Sequence, residues 1–168
     1  MMLKRLVSIV MLLIVTALIA YPLTSQGTLT IKVTNSSKDG VEHLHVRCSA
    51  LMAHFAEEHP GSGWVSTSDK TRDFDLTTLY KSTEVYASVK LPIGQYDKLK
   101  LKIFNSTAVI NGSEISLLFT KSDLEVPADF SVKPNSETIL QLDFNVNFRD
   151  ISERRTLQPR FEVTVIQS

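Results

Sequence analysis

From Gly27 onward the chain repeats one device: apolar residues at every second position, interrupted by short clusters of turn formers. A period of two throws successive side chains to opposite faces of a strand, so each run buries one face and wets the other. "GTLTIKV" sets Leu29, Ile31 and Val33 against threonine and lysine. "HLHVRCSALMA" sets Leu44, Val46, Cys48, Ala50 and Met52 against His43, His45 and Arg47. In "YDKLKLKIF" Leu99, Leu101 and Ile103 alternate with a solvated lysine face, and near the end Leu140, Leu142, Phe144 and Val146 point inward. "TAVINGSEISLLF" flanks Asn111-Gly112, the pair that best supplies positive φ at both centres of a type I′ hairpin turn. "ALMAHFAEEH" continues the alternation that leads into it and reads as strand. The pattern predicts roughly nine or ten short strands with no long amphipathic helix between them, which argues for an antiparallel β-sandwich and against an α/β fold.

The first 26 residues obey a different rule. Lys4 and Arg5 precede an uncharged run, and Leu6 to Ala20 has the length of a signal-peptide core. Extended to Leu23 it just reaches the ~18 residues of a marginal membrane span. Ala20 suits the last position before a signal-peptidase cut, but Leu18 is a poor residue two places earlier. Residues 1–26 are therefore a signal peptide or a retained N-terminal membrane anchor. Either way the positive residues hold the N-terminus inside, so residues 27–168 are expected outside as one domain, either secreted or fixed to the outer face of the membrane.

Charge narrows the partners. The whole chain carries 18 basic and 18 acidic residues; removing Lys4 and Arg5 leaves 16 against 18, a net charge of −2. No basic stripe for a phosphate backbone exists, which disfavours nucleic acid. Cys48 is the single cysteine, so no intrachain disulfide forms. Its phase with Val46 marks it as a small buried hydrophobe.

Candidate sites are few. Asp73 and Asp75 flank Phe74, so both carboxylates face one way, about 7 Å apart by strand geometry. That spacing alone does not make a glycosidase pair, and no phosphate loop, nucleophile elbow or metalloprotease motif is present, so a non-enzymatic role is expected. Asp69, Asp73 and Asp75 lie close enough for a calcium site, although the usual loop spacing is absent. His43 and His45 share a strand face, the arrangement of two ligands for a borderline metal, with His54 and His59 further along. No third ligand is fixed by sequence, and no cofactor is expected. Asn35, Asn105 and Asn111 head N-x-S/T sequons in or beside turns, a possible set of glycan sites. Trp64, Tyr80, Tyr86 and Tyr96 are candidates for an aromatic sugar platform. Trp64 also suits a cover over one end of the core. Tyr96, following "PIG" at a strand start, suits a tyrosine corner that locks the turn.

Taken in order, "GTLTIKVTN", "GWVSTSDKTRDFDLTTL", "LPIGQYDKLKLKI", "VPADFSVKPNSETILQLDFNV" and "LQPRFEVTVI" resemble the family catalogued as domain of unknown function 4382. The resemblance covers residue 27 to about residue 166. It implies a secreted, lipid-linked or membrane-anchored protein of archaea or bacteria, with a β-sandwich related to transthyretin-like or carbohydrate-binding-like modules. It carries no activity and no catalytic residues. Two departures stand out: "TNSSKDG" replaces the "TDAP"-like continuation of many relatives, and their lipobox cysteine is absent. The expected fold is all-β: an antiparallel sandwich, immunoglobulin-like or transthyretin-like, after one N-terminal hydrophobic helix. The expected partners are the membrane through an uncleaved helix, envelope glycans, or other surface subunits. Adhesion, envelope structure or binding is the expected role, with an envelope-tethered carbohydrate-binding module or a calcium- or metal-binding surface protein as alternatives.

Overall fold

A computed structural model describes residues 11, 25–37, 40–49, 51–56, 63–68, 70–119 and 121–167. The hydrophobic segment expected over residues 1–26 lies almost wholly outside them. Among the described residues no helix is long and apolar enough to cross a membrane.

The described chain is mostly β. Thirteen strands form: β1 Gln26–Thr34, β2 His43–Cys48, β3 Leu51–Phe55, β4 Trp64–Ser68, β5 Arg72–Asp75, β6 Glu84–Pro92, β7 Gly94–Ile110, β8 Ser113–Ser116, β9 Leu118–Phe119, β10 Asp123–Val132, β11 Glu137–Asn145, β12 Thr156–Leu157 and β13 Arg160–Gln167. A short helix, α1, spans Phe148–Arg154. The smaller main sheet has the order β13-β11-β1-β6. The larger runs β4-β3-β7-β2-β5, with β10 and β8 also paired to β7, and β12 pairs β9. The buried faces of both main sheets contribute to one core, from Leu29, Ile31 and Val33 on β1 to Val46, Phe74, Leu99 and Leu101 on the larger sheet. Each fully buried aliphatic or aromatic side chain of this kind contributes about 1.5–3 kcal/mol of transfer free energy.

Several local rules act as the sequence predicts. Leu29, Ile31 and Val33 are buried, as are Leu140, Leu142, Phe144 and Val146. On β7 Leu99, Leu101 and Ile103 are buried, while Lys100 between them is partly exposed and Lys102 exposed. Asn111 and Gly112 take φ of 51° and 71° at the β7–β8 hairpin, the paired left-handed conformation of a type I′ turn. The Tyr96 hydroxyl donates to the Pro92 carbonyl at 2.9 Å, so the tyrosine locks the turn that precedes its own strand. Cys48 is fully buried, and desolvation, followed by the nearby Asp73 charge, pushes its thiol up to about 12.

Four features depart from or add to the sequence reading. Pairing is not antiparallel throughout: β1 runs parallel to β11, and β9 parallel to β12. The alternation over "HLHVRCSALMA" is not one strand. Cys48 pairs with Ile103 and Met52 with Lys100, so four steps on one side (52 − 48) oppose three on β7 (103 − 100). The extra residue is a bulge that inverts the phase, and Leu51 and Ala53 turn inward in place of Met52. The connection between β11 and β12 contains α1, capped by the Asn147 side chain accepting from Arg149 N at 3.1 Å and anchored by buried Phe148 and Ile151. Trp64 does not cover the core. It lies half-buried on the outer face, 5.0 Å from the His54 ring, with Lys100 over it.

Candidate functional site

The outer face of the larger sheet collects the polar side chains that alternation turns away from the core. On β2 these are His43, His45 and Arg47, and the antiparallel ladder to β5 sets His45 opposite Asp75 and Arg47 opposite Asp73. Phe74, between the two aspartates, is buried against the Tyr86 ring. The two carboxylates share a face, as predicted, but do different work. Asp73 takes a two-pronged contact from Arg47, at 2.7 Å from Nε and 3.2 Å from Nη2. Both partners are exposed, so the pair contributes little stability.

Asp75 is tied down. Its Oδ1 accepts from Leu44 N at 3.2 Å, Thr77 N at 3.1 Å and Thr77 Oγ1 at 2.7 Å. Its Oδ2 lies 2.7 Å from His43 Nδ1. Partial burial raises the carboxyl pKa, and the contacts from His43, Thr77 and the Leu44 amide outweigh it, leaving the group below its ordinary value. The rings of His43 and His45 stack 5.8 Å apart. His43, His45 and Asp75 each offer a ligand atom, and these atoms lie within 4.8 Å of one another. A third candidate donor beside the histidine pair thus comes from β5, and it is one of the residues first considered for calcium. Asp69 and His59 lie outside the described residues. His54 sits elsewhere, on β3, with Nδ1 2.7 Å from Asp97 Oδ1.

Beside this trio, a groove of about 300 Å³ is lined by His45, Arg47, Asp73, Asn105, Thr107 and Glu114, with Ser106 beneath. The Ser106 hydroxyl is buried and has no hydrogen-bond partner among the described residues. Glu114 reaches the groove because the Asn111-Gly112 turn folds β8 back onto β7, a consequence that the turn signal alone could have suggested.

The sugar platform does not assemble. Tyr86 is wholly buried and its hydroxyl donates to the Ser49 carbonyl, so it presents no face to a ligand. Trp64 is engaged by His54 and Lys100, and Tyr80 is half-buried beside a backbone bridge to Asn35, with Lys81 over its ring. The three sequons also diverge. Asn105 and Asn111 are exposed. Asn35 is 1% exposed, and its Nδ2 donates to Leu76 O at 2.7 Å and Ser37 O at 3.1 Å, which occupies the atom a glycan would use.

No curated protein matches the chain. Among solved structures, a leucine-rich repeat protein from Bacteroides thetaiotaomicron VPI-5482 is 18% identical over 73% of this chain and 14% of its own, with a TM-score of 0.28. Listeriolysin O is 7% identical over 84% of this chain and 23% of its own, with a TM-score of 0.22. The chain spans less than a quarter of either structure, and likenesses this loose carry no argument. The family model is different in kind: it matches residues 26–156, from the first strand to the first residue of β12. The chain belongs to the family described as a domain of unknown function (DUF4382).

Proposed function

We propose that this protein is an extracytoplasmic, surface-displayed β-sandwich with a non-enzymatic binding role, presented behind a signal peptide or an N-terminal anchor. The observation that carries the binding role is the open polar groove on the outer face of the larger sheet. Its charged groups are exposed, and Arg47 and Asp73 neutralise each other across it. Catalytic groups are instead commonly held in desolvated clefts, where burial and like charges shift their pKa values. The groove suits recognition of a small polar group on a partner, and the shared core beneath the two sheets fits a sandwich of immunoglobulin-like or transthyretin-like type. The Lys4-Arg5 pair before the apolar run supports export.

Asn105 lines this groove, and Thr107, the third residue of its sequon, lines it too. A glycan at Asn105 would therefore cover the site, so glycosylation there and ligand binding exclude each other. The experiment is fractionation of the native host with protease added to intact cells, followed by intact-mass measurement. Recovery in the envelope or medium, with digestion from outside, supports the reading; a protease-resistant cytosolic species refutes it.

A further inference from the structure

We propose that His43, His45 and Asp75 bind one divalent cation of borderline softness, of the Zn2+ class. The donor set is two imidazoles and one carboxylate, which suits zinc, nickel or copper; calcium would ask for six to eight oxygens. All three ligand atoms fall within 4.8 Å of one another. Tetrahedral coordination at ordinary bond lengths needs them about 3.4 Å apart, so closure takes a shift of about 1.5 Å. His45 is exposed on the strand and can turn to supply it.

The carboxylate is prepared for this role. Three donors, from Leu44 N, Thr77 N and Thr77 Oγ1, all converge on Asp75 Oδ1. Oδ2 is left facing His43 Nδ1 at 2.7 Å, a pair that a bound cation would open to about 3.4 Å. Fixing one carboxylate oxygen so that the other is aimed is how supporting residues preorganise a metal ligand. The nearby cation, Arg47, is paired with Asp73 and so does not oppose a second positive charge at full strength. Three protein ligands leave a coordination position open toward solvent, beside the groove that His45 also lines. The site needs only the folded domain, wherever the cell places it, so its failure and that of the display reading are separable.

The test uses the full chain, purified in mild detergent, stripped with chelator and dialysed against Zn2+ or Ca2+. One Zn2+ per chain and no retained Ca2+ are expected. His45→Ala, at an exposed position that leaves the core intact, should weaken Zn2+ binding at least tenfold. Thr77→Val, which removes one donor to Oδ1, should weaken it roughly 10- to 100-fold. His54→Ala, at the separate Asp97 pair, should match the unaltered protein. Imidazole resonances of His43 and His45 should move on Zn2+ addition. Absence of saturable Zn2+ binding would overturn the proposal, and so would binding that survives a His43→Ala/His45→Ala double substitution in a folded domain.

Discussion

Asn35 is the residue at which the structure makes its sharpest demand on a single side chain. It follows the last residue of β1, is 1% exposed, and holds the turn after β5 against that strand. Nδ2 donates to Leu76 O and Ser37 O, while Oδ1 accepts from Ser37 N at 3.0 Å. Asn35→Ala removes all three bonds and takes from the Leu76 carbonyl its 2.7 Å donor. Depriving a buried carbonyl costs about 1–3 kcal/mol, and the two local bonds to Ser37 add about 1 kcal/mol more, for a total of about 2–4 kcal/mol. At about 3–4 °C per kcal/mol, melting should fall by roughly 6–16 °C. Asn35→Asp sharpens the test, because it keeps the shape and replaces a donor with an acceptor. Its carboxylate would face two carbonyl oxygens, so its folded pKa is raised above the ordinary aspartate value of about 3.9. A raised pKa gives stability that is full below the unfolded value and is lost as pH rises through the folded one. The Asp variant should therefore be worse than Ala at pH 7 and recover below about pH 4, where its O–H can donate to Leu76 O. Urea unfolding of protein made in a host without glycosylation machinery measures both effects. A cost below about 0.5 kcal/mol for Asn35→Ala, or a pH-independent Asn35→Asp, would refute the buried-clamp account.

Two further outcomes follow from the packing. Cys48 should resist thiol reagents until the domain unfolds; because its folded pKa is raised from 9.0 to about 12, stability should decline as pH climbs above about 9. The loss should reach about 1.4 kcal/mol by pH 10, and Cys48→Ala should flatten that slope in alkaline urea titrations. Gly27→Ala should destabilise by about 1–3 kcal/mol or more in thermal melts, since a Cβ there would lie 2.3 Å from the Lys133 carbonyl and 2.7 Å from Val132 Cγ1.

What could be read from the sequence was local. Alternation identified the inward faces of β1, β7 and β11, and positive-φ chemistry identified the Asn111-Gly112 turn, because those signals depend on neighbours along the chain. The inversion at Cys48–Met52 was hidden because a bulge is a property of two strands, visible only once β7 lies alongside. The parallel pairing of β1 with β11 was hidden for the same reason. α1 was missed although Asn147 with Asp150 three residues on resembles a capping signal, since its seven residues give too little periodicity. At the candidate site the shared face of His43 and His45 was legible. The assignment of Asp75 to that pair, and of Asp73 to Arg47, depends on the β2–β5 register, which no local pattern encodes.

The position of β1 also sets a schedule. It is hydrogen-bonded on both sides, but its parallel neighbour is made far later: Thr30 and Glu137, joined by a side-chain hydrogen bond, are 107 residues apart. At about 5–20 residues per second of synthesis, the first strand waits on the order of 5–20 s for its last partner. Through that interval one edge of a strand carrying Leu29, Ile31 and Val33 is unpaired, the kind of edge that captures other chains. Whatever handles the emerging polypeptide must keep that edge apart for seconds, and the domain's yield in a cell depends on that wait as much as on its final stability.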